Sequence, residues 1–224
     1  MGTFDITSVN YNKQSPIEYY NNGTSVFTSN ACASYTPPTY NTTYSSTIPN
    51  GCSGIAFILI GGGGGAQGTD NINERSGYNG GGGGFLFINC SVTSGMTYSI
   101  TSGSAGIKGT DTPFQGDGTA GTNSSLTIGS NTFTANGGGY GTSTPNGGDY
   151  TNPSTTGITV YQSYGGIGQN GAGTGNYGPS SYNGLQQNIG LMPTGEFDST
   201  YYSYGQGGFR SGGSNGIAIM YFHY

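Results

Sequence analysis

The chain has 224 residues, of which 47 are glycine, 19 tyrosine and none tryptophan, while only 6% are charged and the net charge is −5. Its four basic residues, Lys13, Arg75, Lys108 and Arg210, are scattered singly, so no basic patch exists to neutralise a phosphate backbone or an anionic lipid surface. Nucleic acid is therefore not an expected partner. Membrane insertion is not expected either, because the longest apolar run, 55–60, is far short of a span.

Leucine, isoleucine, valine and phenylalanine together number 35, under a fifth of the chain. At high charge that level would read as disorder, but the charge here is low. A core so thin predicts a chain held by neighbours in an oligomer, a particle or a lattice. The three cysteines, Cys32, Cys52 and Cys90, are odd in number and too sparse for a disulfide scaffold. They read as isolated buried thiols, with a Cys32–Cys52 pair as the alternative. No spacing among them suits a metal. The opening residues Met1 to Ile6 carry no basic or apolar stretch and are read as no secretory signal. Ile6 also stands where a myristoylation motif requires Ser or Thr.

In chain order, short strands are expected at 3–11, 17–20 and 25–28, followed by a segment broken at Pro37 and Pro38. Residues 1–42 are richer in Asn, Tyr and Thr and poorer in Gly than the rest of the chain. They are read as an N-terminal arm or small β region, and 43–224 as a glycine-rich β domain. A strand at 43–48 leads through Pro49-Asn50-Gly51 into 55–60, which is apolar at every position and so buried on both faces. It runs directly into five glycines, 61–65; a second block, 80–84, opens into a strand at 85–92. Met96, Tyr98 and Ile100 at period two complete a hairpin with it. A second hairpin is expected from 126–128 and 132–135, and a final strand at 217–222.

Helix signals are almost absent. The predicted class is all-β: a jelly-roll-like β-sandwich with long glycine-rich segments packed beside it. Polyglycine in the extended left-handed form has three residues per turn, and such segments can lie side by side when no side chains intervene. Their backbone amides would then bond to neighbouring segments.

The motifs that suggest chemistry are weak. G-x-G-x-x-G occurs at 63–68, 116–121, 166–171 and 173–178, which is near chance for this glycine content, and no match opens a helix. Gly212-Gly213-Ser214-Asn215-Gly216 matches a nucleophile elbow, but a strand follows it where a helix is needed. His223, the only histidine, reads as structural or exposed. Carboxylates at Asp70, Glu74, Asp111, Asp117, Glu196 and Asp198 are compatible with a glycosidase pair, though without tryptophan platforms, and show no calcium-loop spacing. No catalytic residue, cofactor or metal ligand is assigned. The N-x-S/T sequons at Asn22, Asn41, Asn89 and Asn123 are what chance supplies. The tyrosines Tyr150, Tyr161, Tyr164, Tyr177, Tyr182, Tyr201, Tyr202 and Tyr204 punctuate the glycine-rich half. They read either as space-fillers between glycine segments or as contacts for a partner or receptor.

The ordered series of these elements resembles the glycine-rich domain of phage tail fibres and related virion proteins. It begins with 43–51 and the apolar strand into polyglycine, then the block and strand at 80–88. Next come Val92-Thr93-Ser94-Gly95-Met96-Thr97-Tyr98 and the glycine-rich stretch with a small hairpin at 121–139. It closes with the glycine turn and last strand at 213–222. Residues 1–42 are not covered. The resemblance implies a non-enzymatic virion structural protein, capsid-, fibre- or tail-associated, working by subunit packing with other virion proteins or with copies of itself. Free cysteines fit a virion assembled in a host cytoplasm. Two rivals remain: a receptor-binding adhesin at a fibre tip, presenting glycine-rich loops such as 140–184 to host glycan or protein, and a polyglycine ice-binding protein.

Overall fold

The computed structural model describes residues 2–3, 17–21, 24–29, 32–35, 40–69, 77–111, 116–142, 146–168, 205–208 and 211–223. Within them no helix occurs and the strands are β1 (Gly2–Thr3), β2 (Ile17–Asn21), β3 (Thr24–Ser29), β4 (Cys32–Tyr35), β5 (Tyr44–Thr47), β6 (Gly54–Ile60), β7 (Phe85–Ser91), β8 (Thr97–Thr101), β9 (Ser124–Ile128), β10 (Asn131–Ala135), β11 (Tyr150–Thr151), β12 (Val160–Gly166) and β13 (Ile217–His223). Two sheets form the body. One has the order β1-β5-β8-β9-β10-β11 and the other β12-β7-β6-β13-β4, while β2 and β3 pair separately.

Apolar side chains at alternate positions drive the two sheets together. Phe57 and Leu59 on β6, Leu86 and Ile88 on β7 and Met220 and Phe222 on β13 meet Ile100, Leu126, Ile128 and Phe133 of the other sheet in one buried cluster. Phe57 and Phe133 pack edge to face across the gap, with ring centroids 5.0 Å apart. Ile58 and Ile60 of β6 and Phe85 and Phe87 of β7 turn the opposite way and are equally buried, as the uninterrupted apolar run at 55–60 predicted. The all-β sandwich is thus the observed architecture. Strands β8 to β11 follow one another as a meander inside one sheet, rather than as the Greek keys of a jelly roll.

At the end of the sheets the chain does not turn back but continues as glycine. Segment 61–68 prolongs β6, and its hydrogen bonds rotate with a period of three. Gly61, Gly64 and Gln67 donate to Gly84, Gly81 and Tyr78; Gly62, Gly65 and Gly68 donate to Thr122, Thr119 and Gly116; Gly63 and Ala66 donate to Ser214 and Ser211. Its carbonyls accept from three further segments, through Gly138 and Gly141, Gly106 and Gly109, and Gly208. Segment 61–68 therefore has six neighbours, three on its N–H side and three on its C=O side.

Those neighbours bond to one another around it. The ring runs 103–110, 116–122, 136–141, 77–84, 205–208, 211–216 and back to 103–110, and every adjacent pair shares at least one backbone hydrogen bond. A three-residue period with no internal bonds is the extended left-handed glycine helix. Segments running away from the sheets alternate around the ring with segments returning to them. The central segment donates only to returning ones and accepts only from outgoing ones.

Glycine is required here by proximity, not by backbone angle. Among described glycines only Gly51, Gly95, Gly129, Gly157 and Gly205 have positive φ. A Cβ at Gly63 would fall on the Gln206 carbonyl, and one at Gly64 on the Gly139 carbonyl. On the ring segments 103–110, 116–122 and 211–216 glycine is required at every third residue, Gly103, Gly106 and Gly109; Gly118 and Gly121; Gly213 and Gly216, whereas 77–84, packed also against 146–149, requires it at consecutive positions, Gly80 and Gly81 and again Gly83 and Gly84.

A Gly63→Ala substitution should therefore cost about 3 kcal/mol, lowering Tm by about 6–12 °C. Ile107→Ala, at a side chain 71% exposed on the same bundle, should leave stability within about 0.5 kcal/mol. Thermal melts of the two variants check this, and equal melting would contradict the close packing of the ring.

Candidate functional site

The bundle has one end fused to the sheets and one end free. The described residues 68 and 77, 110 and 116, 141 and 146, and 208 and 211 lie together at the free end. Polar side chains gather there because the glycine periodicity lapses and side chains again have room.

Asp111 is the best-connected group of this end. Its Oδ1 accepts from the Thr69 amide at 2.6 Å and the Thr69 hydroxyl at 2.9 Å, and its Oδ2 from Lys108 Nζ at 2.7 Å. The Lys108 hydrogen bond and the two from Thr69 hold its carboxyl down, to about 2. Gln67 donates through Nε2 to Asp117 Oδ1 at 3.2 Å, joining segment 61–68 to 116–122 by side chains as well as by backbone. Tyr78 and Tyr140, on adjacent ring segments, are 40% and 38% exposed.

This arrangement positions loops; it brings together no nucleophile with a base and no ligand set. Among the described residues no cluster of His, Cys, Asp and Glu could hold a metal ion. Asp111 and Asp117 both sit on the bundle, but each is engaged by a neighbouring side chain. Asp70, Glu74, Glu196 and Asp198 lie outside the described residues. His223 is a backbone partner of Gly54 and Cys32 at the end of β13. The serine of the G-x-S-x-G match, Ser214, is a ring residue whose amide and carbonyl are both used by the bundle.

Of the tyrosines singled out, Tyr150 is half-buried on β11, packed against the core, and its ring fills the space a Cβ at Gly165 would need. Tyr161 is half-buried on β12, and Tyr164 pairs through its backbone with Phe87. Tyr177, Tyr182, Tyr201, Tyr202 and Tyr204 lie outside the described residues. Cys52 and Cys90 are buried; burial, and then the neighbouring Cys52, push the Cys90 thiol up to about 12. Asn89 is wholly buried on β7, so its sequon offers no accessible amide in the folded chain.

A family model described as a glycine-rich domain matches residues 38–219. A search of curated proteins found no match.

The Asp111 cluster gives a prediction with a definite sign. A depressed carboxyl stabilises the folded form above its ordinary value near 3.8, and that contribution is lost as pH falls through about 2. Carboxyl NMR should place the Asp111 midpoint near 2, and Lys108→Ala should move it up towards 3.8. A midpoint already near 3.8 in the unaltered protein would show that the Lys108 and Thr69 contacts do not persist in solution.

Proposed function

The chain belongs to the glycine-rich domain family, and on that premise we propose that it is a non-enzymatic structural component of a virion, a capsid-, fibre- or tail-associated module. The observation that carries this reading is the bundle. Its central segment is bonded on six sides through its backbone, which makes a stiff element. Such an element suits a part that transmits or resists force and displays what is attached to its end. The virion setting rests on the resemblance of 43–224 to fibre domains.

The expected partners are other virion proteins and further copies of the chain. Antibody raised against the purified chain should label intact particles from its source in electron micrographs. Labelling confined to cell debris, with bare particles, would remove the virion assignment.

A second reading, the fibre-tip adhesin, is favoured by Tyr78 and Tyr140 standing exposed on adjacent segments at the free end. Under it, the double change Tyr78→Ala and Tyr140→Ala should weaken binding of the purified chain to host cells by about tenfold or more, as expected for exposed aromatic anchors. Unchanged binding leaves the packing role alone.

A further inference from the structure

The outer face of the six-stranded sheet has an unusual composition. Every outward position on β5, β8, β9, β10 and β11 is serine or threonine. The cross-strand register lines them up, Thr47 beside Thr97, Ser45 beside Ser99, Ser99 beside Thr127 and Thr127 beside Thr132. Ten outward positions out of ten is far beyond the share of these residues in the chain, 55 of 224. Solvent-facing strands ordinarily carry charged residues as well, partly to prevent association. None stands here. The described charged side chains Lys108, Asp111, Asp117 and Asp149 all lie on the glycine segments or their turns.

Two further observations separate this face from an ordinary polar surface. It holds an open groove of about 400 Å³ lined by 45–47 of β5, 97–99 of β8, Thr127 and Gly129, a volume within the range of ligand sites. Its hydroxyls are also partly ordered by one another, as in the Thr127–Thr132 contact at 3.1 Å. Threonine has few side-chain rotamers, so little entropy is lost when such a surface is covered.

The geometry points to a binding site for a neutral polysaccharide on this face. Each hydroxyl both donates and accepts, which matches a ligand whose own surface is hydroxyl groups. An ionic partner would meet no counter-charge in the groove. An apolar one would leave the hydroxyls desolvated and unpaired. A groove follows a sugar chain better than a flat crystal plane, which sets this ligand ahead of ice. The site is separate from the free end of the bundle, and the inference does not depend on the virion reading.

Affinity electrophoresis through gels containing dextran, mannan or laminarin, with anionic alginate as the comparison, tests it. Retardation by at least one neutral polymer is expected. The double change Ser99→Lys and Thr127→Lys should weaken that retardation by about tenfold, the equivalent of one or two hydrogen bonds. Thr127→Val removes one hydroxyl at constant shape and should give a smaller loss, which keeps the test decisive if the lysine variant does not fold. No retardation by any neutral polymer, or equal retardation of both variants and the parent, overturns the inference. Thermal hysteresis in freezing assays that Ser99→Lys abolishes would overturn it in favour of ice, and a dimer that Ser99→Lys disrupts would overturn it in favour of a second copy.

Discussion

The fold depends on the backbone hydrogen bond made without side chains between the partners. Where six hydrogen-bonded neighbours close in, a Cβ would fall on a carbonyl, so 61–65 is glycine at every position, and only at Ala66, further from the sheets, is a methyl accommodated. Once that axis is fixed, the surrounding segments are constrained in turn. Each must show glycine towards the centre at every third residue, and each must run antiparallel to its ring neighbours so that donors meet acceptors. The side chains that remain can only point outward, which is why residues such as Ile107 and Tyr140 are exposed on the bundle.

Such a bundle is not self-sufficient. Each backbone hydrogen bond contributes about 1 kcal/mol net, while fixing the backbone costs about 1–2 kcal/mol per residue, and glycine loses the most. The deficit is met by the sandwich. Strands β6, β8 and β10 feed outgoing segments and β7, β9 and β13 receive returning ones. The apolar cluster around Phe57, Phe133 and Phe222 therefore fixes where each glycine segment begins and ends. Fixing the roots removes much of the entropy that the segments would otherwise lose on their own. The bundle in turn satisfies, at that end of the sandwich, the polar backbone groups that loops would have to expose to water.

The strands with strong apolar patterns were legible in the sequence: β6, β7, β8 and β13 stand where the expected runs are, within a residue or two. Polyglycine packing in the three-residue helix was legible too, because glycine runs beside apolar strands can lie side by side in that form with their backbone groups bonded to neighbouring segments. What escaped notice has physical reasons. β12 contains a single aliphatic residue, Val160, and ends in Gly165-Gly166, so neither periodicity nor propensity marks it; its place comes from pairing with β7. The ring segments carried a readable signal in Gly103, Gly106 and Gly109, a period of three that differs from both the helix and the strand repeat. The hydroxyl face was equally readable in Thr97-Tyr98-Ser99-Ile100-Thr101, where the apolar residues of the alternation draw the eye and the polar ones define a surface. The gathering of Thr69, Lys108, Asp111 and Asp117 at the free end was not readable. It arises from the order of segments around the ring, which no local pattern encodes.

Aliphatic content alone misstates how much interior this chain has. Counting leucine, isoleucine, valine and phenylalanine measures only the medium that excludes water by being apolar. Here a second interior excludes water by being densely hydrogen-bonded: Gly61 to Ala66 are buried although five of the six have no side chain. The two media follow different substitution rules. In the sandwich a side chain can be lost at the cost of a cavity, whereas at Gly61 to Gly65 on the bundle axis none can be gained without displacing a carbonyl. A stretch of such composition is therefore tightly determined in sequence while looking like low complexity. Among the described residues, variation is left to the outward ring positions and the outer face of the six-stranded sheet, and there such a chain can change what it contacts without disturbing either interior.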